Sequence, residues 1–175
     1  MVVNPDSQLD VSVAVRRATE ADADAIIAIL EGIASERIYT AIDKPWSADQ
    51  QREHLTSLSG REAIHVAETE WHVLVGYQTL ELWATTLNSM AHVGQIGTFL
   101  RPDWRGRRIG EALFQRAVDF ARTHDYSKFV IQVRSSNTAA QNFYQRLGFR
   151  QCGRLTRQVR IDTQEDDEIM MEFFL

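Results

Sequence analysis

The sequence predicts an α+β domain built on a mixed sheet, and three observations support that prediction. Short β-branched or alternating runs are interspersed with longer segments whose apolar residues recur at helical spacing. The chain has 175 residues, of which 44% are hydrophobic, enough to bury a substantial core. It shows no repeat, low-complexity tract or linker, so we expect a single domain over residues 1–175.

The first third of the chain predicts one strand and two helices. A β-branched, alternating start covers Val11 to Arg16. Thr19 can cap a first helix, whose apolar face consists of Ile26, Ile27, Leu30 and Ile33. Ser47 opens a second helix that runs toward Leu58, which leaves Ser35 to Trp46 as a polar and aromatic connection.

Three strand-like runs follow, and then a helix that connects two strands. The runs are Ala63 to Glu68, Val73 to Trp83 and Val93 to Leu100, and their turn-rich connections indicate an antiparallel meander. A helical stripe comes next, formed by Ile109, Ala112, Leu113, Ala117, Phe120 and Ala121. The dense apolar run from Phe129 to Val133 then predicts a buried strand, reached through a β-α-β crossover.

The C-terminal part predicts one more helix and a closing hairpin. The helix extends from about Asn137 to Leu147 and is stopped by Gly148, a residue suited to a left-handed backbone. Phe149 to Ile161 and Glu168 to Leu175 are the predicted strands, and the turn between them holds Glu165, Asp166 and Asp167. The order is therefore strand, two helices, three strands, helix, strand, helix and two strands.

Composition and charge restrict the class of protein. The formal net charge of −5 disfavours a nucleic-acid partner. The first fifteen residues contain no basic signal region ahead of an apolar one, and no apolar run reaches the ~18 residues of a membrane span, so we expect a cytoplasmic protein without a membrane partner. The one cysteine, Cys152, has no partner for an internal disulfide, and we expect a small buried hydrophobe there and no metal.

The segment from Arg101 to Gly110 concentrates four arginines and two glycines in ten residues, directly ahead of the helical stripe. Glycine lets the backbone approach a ligand closely, and the start of a helix presents free N–H groups to an anion. A phosphate-binding loop and a solvated turn with scattered basic residues both fit this composition. Because the whole chain is acidic, a discrete phosphorylated ligand is favoured over a nucleic-acid backbone.

Two motifs resemble those of the GCN5-related N-acetyltransferase (GNAT) superfamily. Trp104 to Gly110 is similar to the acetyl-CoA loop of that family, Gln/Arg-x-x-Gly-x-Gly/Ala, with Arg105 and Gly110 in its first and last places. Asn137 to Phe149 is similar to its second signature, which reads Asn, Ala, an aromatic-Tyr pair and Leu-Gly-Phe. The resemblance covers nearly the whole chain. It implies a three-layer α/β/α fold whose seven-stranded, mostly antiparallel sheet is split by a V-shaped opening and flanked by about four helices.

The resemblance implies an acetyl-CoA-dependent N-acetyltransferase that moves the acetyl group directly to a primary amine of a small molecule or peptide in a ternary complex. The implied cofactor-binding residues are Phe99, Leu100, Arg105, Gly106, Arg107, Arg108, Ile109, Gly110 and Asn137. Main-chain groups at Phe99 and Leu100 would hold the cofactor's arm and the oxyanion. The pantetheine would lie between that strand and Phe129 to Val133. Asn137 serves either as a helix cap alone or as a cap that also contacts the cofactor.

One position of the loop departs from the family's pattern, because Arg108 stands where glycine is usual. A residue with a side chain does not readily adopt a positive φ angle. We therefore predict an ordinary helical backbone at Arg108, within the first turn of the helix, with its N–H available to a phosphate.

Acyl transfer to an amine also requires an acid and a route for the amine's proton. Tyr144 matches the tyrosine with which the family protonates the departing thiolate, although its spacing also suits a core tyrosine. The strand from Val93 to Leu100 contains no carboxylate, so Glu81, His92 and ordered water are the open candidates for the base. A non-catalytic acyl-CoA-binding regulatory module is therefore the alternative to an enzyme.

In the family's fold the thioester is flanked by the connection from Ser35 to Trp46, the second helix and the last hairpin, so we expect these segments to determine the acceptor. Acidic residues there could attract a cationic amine or form a solvated surface: Glu36, Asp43, Glu53 and the run from Glu165 to Glu168. The closing segment is similar to a bacterial subgroup with mixed acceptors. Members of the family often pair through their last strands, so the resemblance also allows a homodimer.

Overall fold

The computed structural model describes residues 11–175, and residues 1–10, which the predicted domain includes, lie outside the described residues. Within the described part, seven strands and four α-helices follow the predicted order. Their bounds are β1 (Val13–Arg17), α1 (Ala23–Ser35), α2 (Ala48–Ser57), β2 (Ala63–Thr69), β3 (Leu74–Leu82), β4 (Val93–Leu100), α3 (Ile109–Arg122), β5 (Lys128–Arg134), α4 (Thr138–Arg146), β6 (Arg150–Ile161) and β7 (Gln164–Phe174).

The strands form one mixed sheet in the order β1-β2-β3-β4-β5-β7-β6. Neighbouring strands are antiparallel except β4 and β5, which are parallel because α3 carries the chain back across the sheet. The β4–β5 ladder ends at the pair Gln95 and Val130, although β4 continues to Leu100 and β5 to Arg134. The two strands therefore diverge, and a V-shaped opening splits the sheet at this point.

Helices cover both faces of the sheet. On the α1/α2 face, three isoleucines of α1 pack with Ile64 of β2 and Tyr77 of β3; these are Ile26, Ile29 and Ile33. On the α3/α4 face, Phe114 of α3 and Tyr144 of α4 pack with Phe129 of β5. The result is a three-layer α/β/α arrangement with apolar clusters on both faces of the sheet.

Local sequence signals account for the ends of the helices. A capping box joins Ser47 and Gln50 at the start of α2. The Asn137 Oδ1 accepts a hydrogen bond from the Ala140 N–H at 3.0 Å, so Asn137 is the N-cap of α4 as predicted. Gly148 follows the same helix with a φ of 99°. Thr19 precedes a short 3₁₀ turn, after which α1 begins at Ala23.

The predicted position of the last turn is wrong. The turn consists of Asp162 and Thr163, whose φ angles of 49° and 70° match the tight turn that suits the twist of a hairpin. The acidic residues lie within β7 instead, where each pairs with a basic side chain of a neighbouring strand, on β6 or on β5. Arg160 contacts Glu165 at 2.5 Å, and Arg154 contacts Asp167 at the same distance.

The prediction that Cys152 is buried is also wrong. Cys152 is exposed. It lies in β6, the last strand in the sheet order, where the ladder shifts register between Gln151 and Gly153. A residue at such a bulge on an edge strand is not packed between layers, so its apolar character does not lead to burial.

Candidate functional site

A cavity of about 470 Å³ opens where β4 and β5 diverge. Its lining includes Tyr144 and eight of the nine residues predicted to bind the cofactor. The ninth, Arg107, instead places its guanidinium over the Trp104 ring, 4.7 Å from the ring centroid. The remaining lining residues were not predicted as site residues; they are Ile33, Tyr39, Thr98, Glu111, Ala139, Ala140, Phe143 and Arg146.

The loop before α3 curls the backbone around one end of this cavity. Gly106 has a φ of 75° and Arg108 a φ of 60°, so two left-handed residues lie within three positions. α3 starts at Ile109, and the Arg108 side chain makes no capping hydrogen bond to its first turn. Successive turns of this kind point main-chain N–H groups into a concavity that suits an anion, and the helix dipole adds to the effect.

The predicted helical backbone of Arg108 is therefore wrong. Arg108 is the residue before the helix, with φ 60° and ψ 9°, and it takes the left-handed conformation that glycine adopts without a steric cost. A left-handed backbone at a residue with a side chain costs roughly 1–2 kcal/mol. Arg108 lines the cavity in this conformation.

Gly110 sets the distance between the start of α3 and helix α4. A Cβ atom at this position would lie 2.9 Å from Cζ of Phe143, closer than packed side chains approach. Glycine therefore lets the first turn of α3 reach the α4 wall of the cavity. This requirement explains the last position of the loop motif, because it concerns close packing and not a positive φ angle.

Arg105 links the loop to the connection between α1 and α2. Its guanidinium makes two hydrogen bonds to the Glu36 carboxylate, at 3.1 and 2.6 Å, and lies over the Tyr39 ring at 4.3 Å from the centroid. Glu36 is thus engaged with Arg105, although the sequence suggested it as an attractor of a cationic amine. Tyr39 joins the cavity wall through the same contact.

The Tyr144 hydroxyl lies inside the cavity wall on the α3/α4 face. It donates a hydrogen bond to Oγ1 of Thr98 at 3.0 Å, and Nε2 of Gln78 donates to the same oxygen at 2.7 Å. Burial raises the pKa of the Tyr144 phenol, and the hydrogen bond with Thr98 opposes that rise only in part. The phenol is therefore protonated at neutral pH and can donate a proton to a basic group in the cavity.

Neither of the two side chains proposed as bases, Glu81 and His92, is among the residues that line the cavity. Glu81 is next to Gln95 in the β3–β4 ladder on the α1/α2 face, and its Oε1 is 3.0 Å from Nε2 of His54. The hydrogen bond with Glu81 raises the pKa of His54. His92 is exposed just before β4, eight residues from Leu100, which is about 26 Å along an extended strand. The structure thus does not bring His92 to the cavity.

A row of polar side chains crosses the opening on the α1/α2 face. Gln95 of β4 donates through Nε2 to Oε1 of Gln132 on β5 at 3.3 Å. Gln132 in turn donates to Oε2 of Glu168 on β7 at 3.1 Å. Burial, followed by the nearby Asp166 charge, raises the pKa of Glu168. In the sequence, Glu168 is distinguished only as part of an acidic run. The signal for its role is Gln132, the single polar residue within the apolar run from Phe129 to Val133.

A second polar group fixes the α1–α2 connection to the same side. Nη1 of Arg134 donates to the Arg37 carbonyl at 2.5 Å, and its Nε donates to Asp166 at 2.9 Å. Ser135 and Ser136 each donate to Asp166 at 2.6 Å. Burial alone would raise the pKa of Asp166, but these hydrogen bonds hold it at about 2. Asp166 is therefore a structural anion and not an attractor of a mobile cation.

Within residues 11–175, no helix is long and apolar enough to cross a membrane. In that same range, no cluster of three or more His, Cys, Asp or Glu side chains is arranged to hold a metal ion.

The site thus combines a sheet opened between two parallel strands, a loop whose backbone suits an anion, and a buried phenol beside the opening. The chain belongs to the GNAT family of acetyltransferases: the family model described as "Acetyltransferase (GNAT) family" matches residues 30–149. The predicted family and fold class are confirmed, and so is the predicted enzyme class, an N-acetyltransferase, at the level of the domain.

Curated relatives match shorter parts of the chain. A protein of Bacillus subtilis (strain 168), named as a candidate [ribosomal protein bS18]-alanine N-acetyltransferase, is 35% identical over 71 residues, which are 41% of this chain and 46% of that protein. An N-acetylaspartate synthetase of Mus musculus is 40% identical over 50 residues, 29% of this chain and 17% of that protein. The chain thus spans less than half the length of these relatives.

Solved structures match nearly the whole described fold. A GCN5-related N-acetyltransferase from Kribbella flavida has a TM-score of 0.81 at 26% identity and covers 93% of this chain and 98% of its own. A phosphinothricin acetyltransferase from Sinorhizobium meliloti, solved in complex with acetyl-CoA, has a TM-score of 0.85 at 19% identity, with 93% and 88% covered. At such identity, the second likeness shows the fold alone.

Proposed function

We propose that the protein is an acetyl-CoA-dependent N-acetyltransferase that transfers the acetyl group directly to a primary amine in a ternary complex. One observation supports this above the others: a single cavity joins the anion-binding loop from Gly106 to Gly110 with the buried phenol of Tyr144. An acyl-CoA needs both features, because its pyrophosphate is anionic and its departing sulfur requires a proton.

The residues of the cavity fit such a donor. The main-chain N–H groups around Gly106 and Arg108 would hold the pyrophosphate, where the start of α3 favours negative charge. The pantetheine would lie along β4 beyond Gln95, where pairing with β5 has ended. Main-chain groups of Phe99 and Leu100, at the end of that strand, would face the carbonyl oxygen on which negative charge develops during transfer.

Tyr144 would supply the proton for the departing thiolate. Its raised pKa keeps the phenol neutral at working pH, and the contact with Thr98 holds the hydroxyl at the cavity wall. A thiolate whose thiol has a pKa near 8.5 is a weaker base than a phenolate, so proton transfer must be coupled to C–S cleavage to be effective. The phenol therefore acts as a general acid during bond breaking.

The acceptor is proposed at the level of a primary amine. By its name, the Bacillus subtilis relative acts on an alanine of a ribosomal protein, whereas the Sinorhizobium meliloti protein is a phosphinothricin acetyltransferase. The two named acceptors differ, so the proposal goes no further than an amine. Exposed apolar residues of the α1–α2 connection, Ile38, Tyr39, Ile42 and Trp46, lie where the sequence places the acceptor and would contact its non-reacting part.

We also infer a single domain over residues 1–175, which the one sheet from Val13 to Phe174 supports. A cytoplasmic, bacterial protein and the absence of a nucleic-acid partner stay predictions. So does the homodimer formed through the last strands.

Thermal unfolding with acetyl-CoA, followed by assay of free CoA thiol, tests the proposed function. Acetyl-CoA at 100 times its Kd should stabilise the protein by about 2.7 kcal/mol and raise Tm by roughly 5–10 °C. S-acetylpantetheine, which lacks the pyrophosphate, should give a smaller shift at the same concentration. A peptide with an N-terminal alanine, a lysine peptide with a blocked N-terminus, and spermidine serve as acceptors. Binding without CoA release from any of them would support the regulatory module instead.

A further inference from the structure

Three carboxylate residues are buried among residues 11–175: Asp22, Glu168 and Glu172. Asp22 makes two hydrogen bonds with Arg16, both at 2.8 Å. Glu172 contacts Lys128 at 2.5 Å and Arg150 at 2.9 Å. Glu168 differs, because no cation of the described residues lies within ion-pair distance of it.

Glu168 lacks a cation although one is adjacent in the sheet. Arg134 is its direct partner in the β5–β7 ladder, yet the Arg134 guanidinium turns to Asp166 and to the α1–α2 connection. The Glu168 carboxylate accepts its hydrogen bond from the neutral amide of Gln132. A buried carboxylate with a neutral donor is costly to keep ionised, so a mobile cation that reaches it would be bound favourably.

The position of Glu168 relates this carboxylate to the opening in the sheet. Gln132 connects it to Gln95, the last residue of β4 that pairs with β5. The row therefore borders the opening on the α1/α2 face, while Tyr144 borders it on the α3/α4 face. An amine that attacks a thioester held in the opening can reach it from the face opposite the phenol.

We infer that Glu168 binds the acceptor's ammonium group and takes its proton, and that Gln132 is the positioning residue that orients the carboxylate. This inference rests on the proposed function and names the base that the sequence left open. The acceptor it selects is an amine that is cationic in solution, such as an alkyl ammonium, because a neutral amine has no need of the carboxylate.

The proton and bond changes balance as follows. The ammonium gives one proton to a Glu168 oxygen, and the free amine nitrogen forms the new C–N bond. The C–S bond breaks, and the sulfur takes the phenolic proton of Tyr144 to give the CoA thiol. The nitrogen loses a second proton as the amide forms, and solvent relays it to restore the phenol, while Glu168 returns its own proton to water.

Other charged groups near this face are already engaged. Arg134 and Asp166 bind each other, and the cross-strand neighbour of Glu168 on β6 is the apolar Leu155. On α2 and β3, His54 and Glu81 form a hydrogen-bonded pair on the far side of Gln95. A protonated His54 therefore neutralises the charge of Glu81. Among the described residues, Glu168 has no such cationic partner.

Binding of butylammonium, a minimal cationic amine, tests the site without turnover. Glu168→Gln should weaken its Kd at least tenfold, while acetyl-CoA raises Tm by the wild-type amount and so reports an intact fold. Glu165→Gln is the matched control, since Glu165 belongs to the same strand but pairs with Arg160 at the exposed hairpin. In the wild type, binding should also weaken as the carboxylate protonates. Equal Kd values for the wild type and Glu168→Gln, or wild-type binding independent of pH from 4 to 8, would overturn the inference.

Turnover of acetyl-CoA with the three amine acceptors then tests the proton transfer. Glu168→Gln should lower kcat/KM by about 10²–10⁴ at pH 7, and its kcat/KM should rise tenfold per pH unit as the amine deprotonates by itself. The double variant Gln132→Glu, Glu168→Gln keeps one carboxylate in contact with one amide and should regain at least tenfold. A loss of kcat/KM below threefold in Glu168→Gln would exclude the base role. If the wild type turns over no amine, the proposed function fails, and butylammonium binding alone decides the role of Glu168.

Discussion

The two sides of the opening are built in different ways. The donor side, formed by the loop before α3 and by α4, uses two segments of consecutive residues, Trp104 to Gly110 and Asn137 to Phe149. The acceptor side, formed by the row of Gln95, Gln132 and Glu168 and by Arg134, joins residues that are remote in sequence. The contact of Arg134 with Arg37 spans 97 positions, and the two hydrogen bonds of Gln132 span 37 and 36. A short motif can therefore describe the donor side but not the acceptor side.

Both sides keep an unfavourable local arrangement, but of different kinds. The donor side holds Arg108 in a left-handed backbone, which is a conformational cost. The acceptor side holds Glu168 without a cation, which is an electrostatic cost. The strained backbone at Arg108 shapes the loop for an anion, and a cation bound at Glu168 would relieve the electrostatic cost there. Substitutions on the two sides should therefore affect different steps.

Tyr144→Phe should have the largest effect and should act on the donor side alone. Removal of the phenolic proton should lower kcat by about 10²–10⁴, while the Kd for acetyl-CoA changes less than threefold because the ring still packs in the cluster. Stopped-flow assay of CoA thiol and calorimetric titration measure the two quantities.

Tyr126→Phe provides the control for this change. The Tyr126 hydroxyl donates to the Arg61 carbonyl at 2.8 Å, away from the cavity, so its loss should leave kcat unchanged. An unaltered kcat in Tyr144→Phe would reduce Tyr144 to a packing residue and remove the acid from the donor side.

Asp166→Asn should have the next largest effect and should act on the acceptor side. It leaves Arg134, whose side chain is 9% exposed, without its carboxylate partner, at a cost of about 3 kcal/mol in the free energy of unfolding. Since the pKa of Asp166 is lowered to about 2, the wild type has this stabilisation above pH about 4 and loses it as the pH falls toward 2. Urea unfolding of both proteins should therefore show a difference in the free energy of unfolding at pH 6, and this difference should be smaller at pH 3.

Glu165→Gln is the control for the acidic hairpin. Its partner Arg160 is 71% exposed, so the loss should be below about 1 kcal/mol. If the free energies of unfolding of the wild type and Asp166→Asn differed by the same amount at pH 6 and pH 3, the carboxylate of Asp166 would not be the source of the stabilisation.

Gly106→Ala should have the smallest effect, and it isolates backbone conformation on the donor side. A Cβ at Gly106 meets no atom within 4 Å, but the φ of 75° makes any side chain strained. We expect a cost of about 1–2 kcal/mol, seen as a roughly 5- to 30-fold weaker Kd for acetyl-CoA. Gly60→Ala is the matched control, because the space at Gly60 is equally open and it has no positive φ. Equal Kd values in the two variants would show that the loop's left-handed backbone does not shape the site.

Much of the fold followed from local patterns. The bounds of β4 and the caps of α2 and α4 agree with the prediction because capping and strand alternation depend on adjacent residues. The last turn did not follow, since Glu165 and Asp167 of β7 reach their cations only when β6 pairs with β7. The prediction of a helical backbone at Arg108 was wrong for a similar reason. The conformational preference of a single residue was overridden by the path that the whole loop must take.

The sequence by itself determined the order of elements, the family and the donor loop, because each depends on residues close together along the chain. Only the tertiary structure decided the acceptor side. Sheet pairing placed Gln95, Gln132 and Glu168 in one row, and packing turned Arg134 away from Glu168 toward Asp166. Which charges are neutralised and which stay free depends on the partner that each side chain reaches after folding, and that partner is set by strand order and register.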